Sequence, residues 1–239
     1  MDIPTVTKEQ MRTIDEYAEK HFGVELLQLM ENAGRNVASL ARDMLGGAKG
    51  REILILAGKG HNGGDGLVAA RFLQNWGAKP TVIIAGHPDE LKQLTKEQNG
   101  ILRSMFVNTL YPTNVMQFEP VFKHTDLIID GLLGYNISSD PQGMYANLIQ
   151  LANNSGKKIL AIDLPSGLDP DTGRPYNPCI RAKATLCLTL PKKGCLEKNA
   201  KQFTGDIYVA DLGVPNEVYQ LMSLPVGPIF ERKDIVKIS

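Results

Sequence analysis

The chain has 239 residues, 43% of them hydrophobic and 22% charged, an ordinary globular balance, long enough for one α/β domain and cramped for two. Lysine plus arginine and aspartate plus glutamate both total 26, so there is no basic excess to hold a nucleic-acid backbone. Cys179, Cys187 and Cys195 sit eight residues apart, which is neither a zinc pattern nor a disulfide framework and reads as reduced thiols.

Thr7, followed by Glu9 and Gln10, predicts a helix start, and the helix runs to His21 before Gly23. Leu26, Leu29, Met30, Ala33, Val37 and Leu40 recur at helical spacing and predict a second helix over 25–45, closed by Gly46 and Gly47. The pattern then changes. Ile53 to Ala57 is a continuous apolar run, as expected of a strand buried on both faces. A glycine-rich loop is expected from Gly58 to Gly66 and a helix from Leu67 to Trp76, ended by Gly77. Further strands are predicted over 80–85, 127–130, 158–163, 184–190 and 206–210, with helices over 89–105 and 144–153. This alternation predicts a mainly parallel sheet covered by helices on both faces, in a single domain spanning 1–239. The polar opening from Met1 to Gln10 is no signal peptide, and no apolar run approaches the length of a membrane span. The expectation is a soluble cytoplasmic protein.

In such sheets ligands bind beyond the carboxyl ends of the strands. Three of those ends are distinctive: AGKGHNGGDG (57–66), DGLLG (130–134) and DLPSGLD (163–169). The five glycines of the first let backbone N–H groups crowd round an anion, with the following helix N-terminus adding favourable charge. The plainer reading is a tight turn that needs glycine for geometry alone. Asp65 either caps the helix or turns toward sugar hydroxyls. His61 is either an acid–base group or, more commonly for a loop histidine, a hydrogen-bonding or packing group. Asp130 and Asp163 each end an apolar strand, where a carboxylate needs a partner. Each could cap the following turn; alternatively one serves a cation and the other acid–base chemistry. Oxygen donors from Asn62, Asp130 and Ser166 would suit a hard cation. Lys192 and Lys193 could neutralise phosphates, but the default for such a pair, as for Lys59, is a solvated surface.

AGKGHNGGDGLVAARFL (57–73) resembles the signature loop and helix of the YjeF N-terminal family, the NAD(P)H-hydrate epimerases. QMRTIDEYA (10–18), LMENAGRNVA (29–38), IIDGLLGY (128–135), AIDLPSGLD (161–169), LTLPKKG (188–194) and GDIYVADLGVP (205–215) extend the resemblance over nearly the whole chain. It implies a Rossmann-like three-layer αβα sandwich, commonly a homodimer. It also implies an isomerase that interconverts the R and S epimers of NADHX and NADPHX, the C6-hydrated reduced nicotinamide cofactors. A dehydratase, usually a separate domain or protein, would then use the S form. Carried over by position, the substrate would be contacted by His61, Asn62, Gly63, Gly64 and Asp65, by Gly134, Tyr135, Asn136, Ile137, Ser138, Ser139 and Asp140, and by Asp163. Asp163 would be catalytic, and Asn62, Asp130 and Ser166 would surround a potassium ion. Two departures from the family stand out: His61 stands where many members have asparagine, and the stretch Gly134 to Asp140 replaces a GTG-like turn.

The alternative is a non-catalytic nucleotide-binding or protein-interaction module of the same fold. An ordinary NAD(P)-dependent oxidoreductase fits poorly, because the glycine register is wrong and the next strand ends Ile84-Ala85-Gly86 with no acidic residue for a ribose. A dehydratase would need a larger domain than this length accommodates.

Overall fold

The computed structural model describes residues 3–114 and 118–238, so the two ends of the predicted 1–239 domain lie outside the described residues. Two helices lead, α1 (Lys8–Phe22) and α2 (Leu26–Leu45). Thr7 caps α1 as its sequence predicts: its hydroxyl accepts from the Gln10 amide at 3.2 Å, and the Gln10 side chain accepts from the Thr7 amide at 2.9 Å. Gly46 ends α2 in the left-handed conformation, φ 66°.

Strands and helices then alternate: β1 (Glu52–Ala57), α3 (His61–Asn75), β2 (Lys79–Ile84), α4 (Gln93–Ser104), β3 (Asn108–Leu110), α5 (Glu119–His124), β4 (Leu127–Gly131), α6 (Gly143–Asn154), β5 (Ile159–Ile162), β6 (Ala184–Leu188), α7 (Lys201–Thr204), β7 (Asp206–Ala210), α8 (Asn216–Leu221) and β8 (Ile235–Lys237). The strands form one sheet in the order β3-β2-β1-β4-β5-β6-β7-β8, parallel throughout except for β8 against β7.

Side-chain alternation divides the core into two sides. Ile53, Ile55, Val82, Ile129 and Leu160 pack with α1, α2 and α3; Leu54, Leu56, Ile83, Ile128 and Ala161 pack with α5 and α6. This is the expected three-layer αβα sandwich. Among the described residues no helix is long and apolar enough to cross a membrane.

Several expected boundaries are corrected. The predicted loop over 58–66 is only three residues long, because α3 begins at His61 rather than Leu67. The predicted helix over 89–105 starts at Gln93, after a single 3₁₀ turn at Pro88–Glu90. The strands expected to reach Asp163 and Leu190 end at Ile162 and Leu188, each before a residue of positive φ. The short elements β3, α5, α7, α8 and β8 were not anticipated.

Candidate active site

Strand order reverses between β1 and β4, so the chain ends after these strands diverge and leave a crevice beyond their carboxyl edge. The three motifs predicted to converge there do so. Asn62 Nδ2 donates to the Leu133 carbonyl at 3.1 Å, and the Leu133 amide donates to Ser166 Oγ at 2.9 Å. Ser166 Oγ donates to Asp130 Oδ1 at 2.7 Å, and the Ser166 amide donates to Asp130 Oδ2 at 2.8 Å. Asp130 also accepts from the Leu132 amide at 3.2 Å, so it does cap the turn after β4 as the plainer reading held. Two further features set it apart. It is fully buried, and among the described residues it forms no ion pair. Burial pushes its carboxyl up to about 6, against the pull of the Ser166 and Leu132 hydrogen bonds.

The glycines of the first motif serve packing. A Cβ on Gly58 would strike the Leu132 carbonyl, and one on Gly63 would strike the Gly58 carbonyl. A Cβ on Gly64 would lie 2.8 Å from the Met30 sulfur. Close packing therefore explains three of the five glycines, Gly58 in the turn as the plainer reading held and Gly63 and Gly64 inside α3. What remains for a ligand is the N-terminus of α3, capped by Gly60 with no side-chain hydrogen bond. Asp65 is no helix cap: it is the fifth residue of α3, 7% exposed, and its carboxyl accepts no hydrogen bond from a described residue. Burial first, then the neighbouring carboxylates Asp163 and Asp15, raise it well above the usual carboxylate range.

A cavity of about 270 Å³ opens beside these groups. Its outer end carries Gly60, His61 and the exposed Lys92; Leu29, Met30 and Leu132 supply apolar wall. His61 is half-buried there, and burial lowers its pKa. At the inner end lie Asp163 and Lys192. Lys192 is 1% exposed, which overturns the expectation of a solvated lysine pair; only Lys193 is exposed. The Lys192 ammonium pairs with Asp163 Oδ1 and also donates to the Leu188 carbonyl at 3.1 Å. Burial alone would lower its pKa, but the Asp163 carboxylate outweighs that and holds it raised. Asp163 Oδ1 accepts from the Leu188 amide at 3.2 Å as well.

Backbone strain marks the same place. Asp163 and Thr189 have φ of 68° and 66°, a left-handed region that aspartate tolerates and that is costly for the β-branched Thr189. They are two of four such non-glycine residues among those described, and both line the cavity.

Tyr135 joins this pair to the first helix. Its ring lies 5.6 Å from the Lys192 ammonium, and its hydroxyl donates to Asp15 Oδ2 at 2.7 Å. Of the divergent stretch, Gly134, Tyr135 and Asn136 line the cavity. Ile137 is half-buried beyond it, Ser138 and Ser139 are exposed, and Asp140 accepts from the Asn177 amide at 2.9 Å. Gly63 and Gly64 back the wall. Asp15 and the buried role of Lys192 were not picked out from sequence. Asp15 did leave a signal, since it falls on the edge of the apolar stripe Met11, Ile14, Ala18.

Residues 26–194 match the model of the YjeF-related protein N-terminus family. An NAD(P)H-hydrate epimerase from Dehalogenimonas lykanthroporepellens is 37% identical over 218 residues, covering 91% of this chain and 85% of the relative. One from Lentilactobacillus buchneri is 36% identical, with coverage of 87% and 94%. A bifunctional NAD(P)H-hydrate repair enzyme from Moorella thermoacetica is 35% identical over 217 residues, but this chain spans only 41% of its length. The crystal structure of the yeast protein YNL200c superposes with a TM-score of 0.85 at 26% identity, covering 99% of this chain and all of the yeast one. The chain is a member of the YjeF-related N-terminal family.

Proposed function

We propose that this chain is an NAD(P)H-hydrate epimerase, interconverting the R and S forms of NADHX and NADPHX in nicotinamide-cofactor repair. Relatives named for that activity support the reading. The single observation that carries it is the buried Asp163–Lys192 pair at the inner end of a cavity whose outer end is a free helix N-terminus. That N-terminus and Lys92 suit the diphosphate of a dinucleotide. His61, Asn62, Tyr135 and Asn136 would line its path inward.

The substrate carries a hydroxyl on C6 of the ring, beside a nitrogen whose lone pair can expel it. Loss of water and its return on the other face inverts the centre; ring opening and reclosure does the same. Either route needs a proton to move at that oxygen. Asp163 is the group assigned to it. Lys192 pairs with its carboxylate, and the Leu188 backbone fixes the orientation of both side chains.

Asn62, Asp130 and Ser166 would hold a potassium ion. Their donors are hard oxygens, and Asp130 is a buried carboxylate with no cationic partner among the described residues. A bound ion would supply positive charge next to the α3 N-terminus. From the family resemblance we further propose a homodimer, for which light scattering should give twice the 26.2 kDa chain mass, and a functional link to a dehydratase, a reading supported by relatives named bifunctional NAD(P)H-hydrate repair enzymes, of whose length this chain spans 41%.

The test is direct. The R epimer of NADHX is enriched with an S-specific dehydratase, that enzyme is removed, and this protein is added in potassium buffer. Both epimers are followed by HPLC. Return to the epimer equilibrium faster than the spontaneous rate is expected. Folded protein that binds the dinucleotide without accelerating this return, with NADPHX also tried, would mark a non-catalytic module instead.

A further inference from the structure

The family match begins at residue 26, and α1 lies before it. Yet α1 is fastened to the site at two points. Val6 pairs with the Lys192 segment, its amide donating to the Pro191 carbonyl at 3.0 Å and its carbonyl accepting from the Lys193 amide at 2.8 Å. The Lys8 amide donates to Asp171 Oδ1 at 2.7 Å. Met11, Ile14 and Ala18 then pack into the core, which leaves Asp15 half-buried on the cavity wall. There Asp15 takes the Tyr135 hydroxyl, and the Tyr135 ring in turn faces the ammonium that pairs with Asp163.

We propose that Asp15, with Tyr135 hydrogen-bonded to it, is a second proton-transfer group of this site, delivered by α1 while Asp163 is delivered by the end of β5. The proposal rests on the epimerase reading. Inversion through loss and return of water needs an acid where the hydroxyl leaves and a base where water returns. Two carboxyl groups from different elements meet that need with one shared proton. In one direction Asp15 gives its proton to the departing C6 hydroxyl; the C6–O bond breaks and the ring-nitrogen lone pair forms the N=C bond. Water then adds to C6 from the other face, the π pair returns to nitrogen, and Asp163 takes the proton the water loses. The reverse reaction exchanges the roles, so atoms and charge balance over each crossing.

The surroundings suit a group that titrates near neutrality. Burial raises the Asp15 carboxyl to about 6, the Tyr135 hydroxyl and Lys192 pull it down, and Asp163 and Glu19 push it up. Asp65 on α3 and Tyr219 on α8 also feel the Asp15 charge, and Arg12 acts on Tyr135. The reactive state carries one proton over the two carboxyls, so turnover falls as pH rises past about 6.

Four proteins test this: wild type, Asp15→Asn, Asp15→Glu and Tyr135→Phe, each checked for folding by its melting temperature. Wild-type turnover in the same run separates failure of the epimerase reading from failure of this one. We expect Asp15→Asn to lower the rate roughly 10²-fold in both directions, with the epimer ratio at equilibrium unchanged and partial recovery in Asp15→Glu. Tyr135→Phe removes a hydrogen bond that favours the charged carboxylate, so it moves the falling limb of the pH–rate profile to higher pH. Folded Asp15→Asn that turns over like wild type overturns the proposal, and so does a Tyr135→Phe profile that superimposes on the wild-type one.

Discussion

Lys192 illustrates how much one side chain can hold together. Its ammonium is out of water, faces Asp163 and is shared with the Leu188 carbonyl. The strained turn at Thr189 brings that carbonyl into reach. Such a pair is costly to form but far costlier to halve, because the remaining charge is left buried alone. Lys192→Met should therefore destabilise the fold by about 3–5 kcal/mol, and Asp163→Asn, which strands the Lys192 ammonium, by a similar amount. Assayed at a temperature where it is still folded, Asp163→Asn should also lower epimerase turnover by roughly 10²-fold or more. Calorimetry and the HPLC assay check the two effects separately. A stable Lys192→Met protein would mean the pair is solvated, and full activity in Asp163→Asn would remove that residue from the chemistry. Asp163 was legible in sequence because a carboxylate ending an apolar strand demands a partner. Lys192 was not, since nothing local distinguishes it from the exposed Lys193; only the chain reversal after β6 turns one inward.

At the scale of elements, the first turns of α3 were misread for a physical reason. Gly63, Gly64 and Gly66 have poor helix propensity, so the sequence pattern favours a loop. Tertiary contact overrides that preference. The same closeness recurs where α2 crosses α3: a Cβ on Gly34 would collide with the Val68 side chain and lie 2.7 Å from the Asp65 carbonyl. Gly34→Ala gains about 1 kcal/mol of helix propensity and incurs an overpacking cost of about 1–3 kcal/mol or more. The collision should win. A fall in melting temperature of roughly 5 °C is expected, with some loss of activity because Asp65 moves with α3. A melting temperature at or above wild type would show that the two helices separate freely. The elements that escaped sequence reading are short: β3 and β8 have three residues each, too few to establish a period of two. The long amphipathic helices and the continuous apolar strands, by contrast, stood out from periodicity alone.

For the whole molecule, the site sets stability against function. Three carboxyls, Asp15, Asp65 and Asp163, face one cavity with a single buried lysine. Lys192 answers Asp163, which leaves two carboxyls with no cation of their own among the described residues and with raised pKa values. A carboxyl raised from 3.8 to about 6, as Asp15 is, keeps its proton in the folded chain after the unfolded chain has released it. Its contribution to stability is complete below about 3.8 and is lost as pH rises through about 6. Asp65, also raised by burial, adds to that loss. Asp130 contributes a similar fall, but it does so equally in any variant that retains it. The Asp15→Asn, Asp65→Asn double variant should thus melt close to wild type at pH 4 and above it at pH 8, by roughly 5 °C. Its epimerase activity should fall at the same time, as expected where a functional site is held at the expense of stability. Scanning calorimetry across pH 4–8 decides the matter: parallel melting curves for the two proteins would mean that these carboxyls are solvated and that the cavity imposes no charge cost on the fold.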